Sequence, residues 1–191
     1  CKLDSLDAIL VRPYSNLDYL IGKWIAIISL FITVYIINLI ILGIFHIGNG
    51  SYPFTFFPYL FYLLTLALPV LLFVTGLTVW LNVVFKTPFL SMFILFGYIL
   101  VDVFYLSDIQ FGCFDFLAMT IPNVFSDIVG HVGVSTYLLQ RFAYILFGIS
   151  FLFFAVSRLQ RLAGSIKDVR RCILLGIILF GIGVGCGWSY Y

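Results

Sequence analysis

Long apolar runs separated by short polar segments dominate the hydrophobicity pattern of this chain. Five of the runs reach or approach the roughly 20 apolar residues that an α-helix needs to cross the hydrocarbon core of a bilayer. The pattern therefore predicts an all-α polytopic membrane protein with about five transmembrane helices. The predicted spans are residues 24–47, 54–85, 89–106, 137–157 and 172–191.

Between the third and fourth spans, residues 111–130 are apolar but are interrupted by polar residues and a proline. Asp115, Asp127 and the Pro122–Asn123 pair disfavour a continuous crossing helix. Non-helical backbone at membrane depth survives only against protein or a water-filled cavity. We therefore predict an outer re-entrant hairpin of two half-helices, broken at Pro122–Asn123.

Pro69 lies in the middle of the second span. A proline inside a helix removes one backbone donor and crowds the carbonyl one turn earlier, which predicts a helix kink at this position. Residues 86–88 are a very short connection, so the second and third spans are predicted to be antiparallel neighbours.

The segment ahead of the first span contains the signals of two short helices outside the bilayer. Asp4 can cap a first helix that ends at Arg12-Pro13, because proline lacks an amide hydrogen and disfavours helical geometry in the residue before it. Ser15 and Asp18 fit a capping box that starts a second helix, which continues into the first span.

Composition and charge placement support a membrane protein and predict its orientation. The chain is 63% hydrophobic and 9% charged, whereas about 25% of residues are charged in a typical globular protein. Because Lys and Arg concentrate in cytoplasmic loops, we predict a multi-pass plasma-membrane (inner-membrane) protein with residues 1–23 and the basic link 158–171 cytoplasmic. Every cation except Arg141 then lies inside: Lys2, Arg12, Lys23, Lys86, Arg158, Arg161, Lys167, Arg170 and Arg171.

Two residues of the Asp, Glu, Lys and Arg types, Asp102 and Arg141, fall inside predicted spans, where charge is costly and often functional. Asp102 and Arg141 each lie about four residues from the outer end of a span, roughly 6 Å deep at ~1.5 Å per residue. One hypothesis is an ion pair that braces the outer mouth. The alternative is that each side chain reaches the interface separately.

Sequence motifs for nucleotides, metals or catalysis are missing. Gly22-Lys23 is followed by Trp24 and lacks the glycine-rich phosphate cradle of a P-loop, so any ATP must be bound and hydrolysed by another chain. His46 and His131 are isolated, and the cysteines are too far apart along the chain to suggest a metal or disulfide framework. We expect no catalytic, cofactor-binding or metal-binding residues and no nucleic-acid partner.

Glycines in the fifth span stand at the G-x-x-x-G spacing that allows close helix approach. The two pairs are Gly181 with Gly185 and Gly183 with Gly187. This spacing predicts a candidate face for helix–helix association.

Several short blocks resemble ABC-2-type permeases, the membrane subunits of type-2 ABC exporters. In the opening segment these are LDAIL at 6–10, RPYSN at 12–16 and YLIGK at 19–23. A second region, LPVLLFVTGL at 68–77 followed by FKTP at 85–88, also resembles that family, as does a broken apolar hairpin before the last span of a six-span core. The resemblance covers roughly residues 3–161.

The resemblance implies a permease core over residues 24–157 in a bacterial inner membrane. Such a permease moves substrate by alternating access, is not itself an enzyme, and works with a separate ATP-binding ABC ATPase and a second or sister permease. The implied ATPase-coupling interface is Asp4, Asp7, Arg12, Pro13, Tyr14 and Ser15. The span at 172–191 would be an addition to the six-span core, and the chain from Cys1 to Tyr191 would be a fragment of a longer protein.

The residues alone leave alternatives open. The two opening helices suit a rigid lever moved by an ATPase, but also an amphipathic interfacial anchor. A membrane-embedded transferase acting on a lipid-linked substrate would need clustered carboxylates, whereas the aspartates at 102, 108, 115 and 127 are spread over separate predicted elements. An ion-driven carrier would show matched broken helices in internal repeats, and one broken segment is evident. The transported substrate stays undetermined.

Overall fold

The computed structural model describes residues 16–49, 55–106, 109–119, 125–126, 130–131, 133–159 and 166–190. Within them the helices are α1 (Asn16–Asn49), α2 (Phe57–Tyr62), α3 (Leu68–Phe85), α4 (Pro88–Val101), α5 (Val134–Arg158) and α6 (Ile166–Tyr190). A π-helical segment, Leu63–Ala67, joins α2 to α3, and a second one, Asp102–Leu106, extends α4. A 3₁₀ turn, Ile109–Gly112, and two short antiparallel strands, β1 (Phe125–Ser126) and β2 (Gly130–His131), follow.

Five helices in the described residues are long and apolar enough to cross a membrane, as the hydrophobicity pattern predicted. They are Asn16–Gly48, Phe57–Phe85, Pro88–Leu106, Val134–Arg158 and Val169–Tyr190. The first begins before the predicted residue 24 because α1 is continuous from Asn16 through the span. This architecture is that of a multi-pass membrane protein.

Helix α5 is the centre of the bundle, since it packs against α3 on one side and α6 on the other. Its contact with α3 is a backbone contact: a Cβ built at Gly76 would overlap the carbonyl oxygen of Gly148. On the other side, Ser150 Oγ donates a hydrogen bond to the carbonyl oxygen of Gly176 on α6 (2.8 Å). Small residues on facing helices therefore bring three spans close together, as expected for packing in lipid.

One end of the bundle, here called the Asn16 end, contains the start of α1 and the ends of α3 and α5. Asn16 Nδ2 donates to the carbonyl oxygen of Leu159 just after α5 (3.3 Å). Trp24 Nε1 donates to Thr75 Oγ1 of α3 (2.8 Å). The same region holds a buried apolar cluster of Leu20, Trp24, Leu152, Ala155, Val156 and Cys172. The start of α1, the end of α5 and the early part of α6 thus lie at the same end of the bundle.

Pro69 follows a disruption of the α-helical pattern in the second span. Proline has no N–H to donate to the carbonyl of Thr65, and the preceding turn is π-helical, with Leu68 N–H donating to the carbonyl of Leu63. The Thr65 carbonyl accepts a hydrogen bond from Tyr137 Oη of α5 instead (3.1 Å). A neighbouring helix therefore satisfies the backbone group that the proline frees.

The two half-helices predicted for the re-entrant hairpin are wrong in their described parts, and the predicted break at Pro122–Asn123 lies outside the described residues. Residues 109–119, hereafter the 109–119 loop, form a 3₁₀ turn followed by tight turns, and positive φ angles at Gly112 (80°) and Ala118 (60°) prevent a continuous helix. Further on, Phe125 and Ser126 pair with His131 and Gly130 as strands. Apolar content alone suggested helix, whereas side chains of α5 stabilise a non-helical backbone here.

Candidate functional site

A buried polar cluster lies where the 109–119 loop meets α5 and the end of the third span. Its members, hereafter the polar cluster, are Asp102, Asp115, Gln140 and Arg141, each no more than 1% exposed. Polar groups are stable in such surroundings only when hydrogen-bonded or neutralised. This cluster is the candidate functional site because buried ionisable residues in a membrane bundle are costly to keep.

Gln140 and Arg141 bind the backbone of the loop. Gln140 Nε2 donates to the carbonyl oxygens of Gly112 (2.6 Å), Cys113 (3.3 Å) and Asp115 (3.2 Å). Arg141 donates from Nη1 to Phe116 O (2.8 Å) and from Nη2 to Asp115 O (2.8 Å). These bonds satisfy carbonyls that turns leave without helical partners.

The two side chains also orient each other. Gln140 Oε1 accepts hydrogen bonds from Arg141 Nε (3.0 Å) and Nη2 (2.6 Å). The guanidinium carbon lies 5.5 Å from the ring centroid of Tyr137 and 5.6 Å from that of Tyr144, within cation–π range. The Gln140–Arg141 pair is thus a preorganised clamp on the loop.

Asp102 occupies the π-helical end of the third span and is completely buried. Neither of its carboxylate oxygens has a hydrogen-bond partner among the described residues. The backbone N–H groups of Phe116 and Leu117 face it without reaching hydrogen-bond geometry. Asp102 is therefore close to the loop but not tied to it.

The sequence hypothesis of an Asp102–Arg141 ion pair is wrong as a direct contact. The two residues belong to one cluster, but the guanidinium binds Gln140 and the loop carbonyls, and the Asp102 oxygens accept no hydrogen bond. The alternative, separate extension to the interface, is wrong as well because both side chains are buried. The sequence hypothesis did not anticipate that carbonyl oxygens of the 109–119 loop accept the hydrogen bonds of the guanidinium.

The aspartates at 102 and 115, predicted to lie on separate elements, do so, yet they are close enough for their charges to interact. Sequence reasoning named Asp115 as a helix interrupter and as one of the dispersed carboxylates, and it did not select Gln140. The sequence did contain one indication of this site: Gln140 and Arg141 are adjacent polar residues in an otherwise apolar run. The proximity of the two aspartates does not favour the transferase, since both are 0% exposed.

An aromatic cluster holds the loop in the bundle. Phe116 is 1% exposed, and its ring centroid lies 5.4 Å from those of Phe73 and Tyr98 and 6.5 Å from that of Tyr144. Aromatic burial of this kind contributes about 0.5–1.5 kcal/mol per pair beyond area alone. The loop is therefore anchored by one ring and by the clamp.

A cavity of about 420 Å³ lies beside the cluster, between the loop, α5 and α6. Its lining is mainly apolar and includes Phe114, Phe147 and Trp188, with Cys113 and Gln140 at the loop side. The Cys113 thiol donates to the carbonyl oxygen of Gly187 (3.7 Å), and burial raises the pKa of this thiol. The cavity therefore lies next to the Gln140–Arg141 clamp, at the loop end of the bundle.

None of the predicted ATPase-coupling residues belongs to the described part of the chain. Asp4, Asp7, Arg12, Pro13, Tyr14 and Ser15 lie outside the described residues, which begin at Asn16. The coupling interface therefore stays a prediction from the resemblance.

Comparison with known protein families, curated proteins and solved structures finds no match to this chain. The likeness to ABC-2-type permeases thus rests on the short blocks of sequence. The described residues themselves support a multi-pass helical membrane protein with a clamped loop at one end.

Proposed function

We propose that this chain is the permease subunit of an ATP-driven ABC exporter. It moves substrate by alternating access, while separate ABC ATPase subunits bind and hydrolyse the ATP. A second permease copy or a sister permease completes the membrane unit, and this chain itself carries no cofactor. The motivation is the resemblance of residues 6–23 to the cytoplasmic segment of ABC-2-type permeases.

The observation that carries the proposal is the packing at the Asn16 end. There, α1 begins directly after the proposed coupling segment and is bonded to the end of α5 through Asn16 and Leu159. Leu20 packs in the same cluster as Leu152 and Val156 of α5. A force applied ahead of Asn16 would therefore act on α1 and α5 together.

A second contact extends this connection to α3, because Trp24 donates to Thr75 across the helix interface. Close-packed helices respond to small displacements by shifting between discrete arrangements rather than by deforming gradually. Rigid transmission of this kind favours the lever over the interfacial anchor, which would require no tight contact with α3 or α5.

The proposal is tested first by the neighbouring coding sequence and by co-purification. We expect a P-loop ATPase encoded beside this protein, co-purifying with it from bacterial membranes and hydrolysing ATP in the complex. A chain purified with no ATPase, from a locus that encodes none nearby, would overturn the permease assignment.

The coupling segment is tested by Asp7→Ala combined with Arg12→Ala. We expect retention of the ATPase to fall about tenfold, which corresponds to ~1.4 kcal/mol of binding. The control is Lys86→Asn, which removes a cation at the same end outside the segment, and asparagine tolerates the left-handed backbone there (φ 56°). Equal ATPase retention in the double variant and the control would reject the lever.

A further inference from the structure

The buried carboxyl group of Asp102 has surroundings that suit a bound proton. It is 0% exposed, and within the described part of the chain both oxygens lack a hydrogen-bond partner. An ionised carboxylate in such a place costs several kcal/mol unless a cation and hydrogen bonds compensate it.

The titratable and charged groups facing Asp102 come from three elements. Tyr98 lies on its own helix, Asp115 on the loop, and Arg141 and Tyr144 on α5. Arg141 is the one cation among these groups in the described residues, and its described hydrogen bonds go to Gln140 and to the loop carbonyls. With both aspartates ionised the set has an excess negative charge; with one proton bound it is neutral.

A metal cation fits this site poorly. The carbonyl oxygens of Asp115 and Phe116, which would be ligands, already accept hydrogen bonds from the guanidinium. The positive charge of Arg141 also opposes a second cation nearby. Within the described part of the chain, no three His, Cys, Asp or Glu side chains are grouped to hold a metal.

We propose that Asp102 is a proton-binding site and that release of its proton loosens the 109–119 loop from the helices. The proton leaves the carboxyl oxygen for water entering from the loop end, and the carboxylate remains. That carboxylate needs solvation, which neither the clamp nor the aromatic rings around Phe116 provide. The N–H groups of Phe116 and Leu117 face it without bonding to it, and water that enters from the loop end displaces the loop backbone there.

The sign of the pH effect follows from this arrangement. The closed loop holds the proton more tightly than an open, hydrated loop, so closure is favoured at low pH. Opening then increases as pH rises, by up to about tenfold per pH unit for one proton, until the buried acid is fully ionised.

Cys113 lies in the 109–119 loop, so its reactivity with a thiol reagent reports whether the loop is open. The full chain in nanodiscs is treated with a small maleimide across a pH series, and modification of Cys113 relative to Cys186 is measured by peptide mass spectrometry. Cys186 corrects for the pH dependence that the two thiols share, and the comparison with Asp102→Asn corrects for the raised pKa of the Cys113 thiol. We expect the ratio to rise steeply with pH in the native protein and to stay low and nearly flat in Asp102→Asn, which mimics the protonated acid. The same rise in both proteins would overturn the proposal.

Infrared spectroscopy of the native protein tests the proton itself and does not require a variant that folds. We expect a carboxylic-acid C=O stretching band that disappears at high pH, in step with Cys113 modification. The band should persist in Asp115→Asn and be absent in Asp102→Asn. Absence of the band from the native protein at every pH, or its loss in Asp115→Asn alone, would overturn the assignment. Neither measurement depends on an ATPase partner, so their outcome is independent of the proposed permease function.

Discussion

Arg141 stabilises the fold through backbone carbonyls rather than as half of an ion pair. Its guanidinium joins Phe116, Asp115 and Gln140 by hydrogen bonds of 2.6–3.0 Å. Guanidinium has a planar set of donors that can reach several acceptors at once, which an ammonium cannot reproduce. The residue type is therefore dictated by the loop it holds.

Removal of this group should destabilise the protein strongly. We expect Arg141→Met to lower the free energy of unfolding by about 2–5 kcal/mol, since it removes the donor to the buried Phe116 carbonyl and to Gln140 Oε1 and one of the donors to the Asp115 carbonyl. Arg158→Gln, at an exposed position in the last turn of the same helix, should change it by no more than ~0.5 kcal/mol. Equilibrium unfolding in mixed detergent measures both, and similar values for the two variants would contradict the clamp.

The crossing of α3 and α5 is determined by two glycines that have no G-x-x-x-G signature. Gly76 and Gly148 each face the backbone of the opposite helix, and a Cβ built at Gly148 would lie 2.6 Å from the carbonyl carbon of Leu72. The glycines of the predicted G-x-x-x-G spacing in α6 have two different kinds of surroundings. Gly183 packs against the ring of Phe147, whereas Gly181 and Gly185 face open space among the described residues.

Enlarging a glycine at the crossing should therefore separate the helices. We expect Gly148→Ala to cost about 1–3 kcal/mol, because backbone atoms cannot move aside as a flexible side chain can. Gly97→Ala on α4 is the matched control: a Cβ there has no neighbour within 4 Å, and alanine favours the helix by ~0.5–1 kcal/mol. Thermal unfolding of the two variants gives the comparison, and a Gly148→Ala protein as stable as the control would disprove the close crossing.

On the scale of the whole molecule, the two ends of the bundle differ in character. The Asn16 end has α1, α3 and α5 joined by apolar packing and by two hydrogen bonds. The opposite end has the loop, the polar cluster and the cavity. Between them, the most apolar stretch of α1 buries none of its residues in the rest of the described chain, so lipid or another helix must cover it.

Orientation in the membrane is a prediction from charge, and it can be measured directly. In a background with every native cysteine replaced by alanine, we expect Phe56→Cys to react with a membrane-impermeant maleimide in intact cells. Thr87→Cys, exposed at the opposite end of the second span, should react only after permeabilisation. The reverse pattern would show that the Asn16 end faces outward.

The spans were predictable because an apolar run of sufficient length has few alternatives in a bilayer, where each backbone group must be satisfied within the helix. The same local rule accounts for the helical disruption near Pro69. It could not identify Tyr137 as the donor to the freed carbonyl of Thr65, since that contact joins residues 72 positions apart.

The candidate site was only partly visible in the sequence. Asp102 and Arg141 stood out as charges in apolar spans, a property of each residue by itself. Their actual partners depended on where the 109–119 loop folds, and that loop was expected to be helical. Its conformation follows from carbonyls captured by Gln140 and Arg141 and from Phe116 packing among distant rings. Hydropathy describes the apolar character of each residue separately. Hydrogen bonds between segments distant in sequence form only when the helices have packed together.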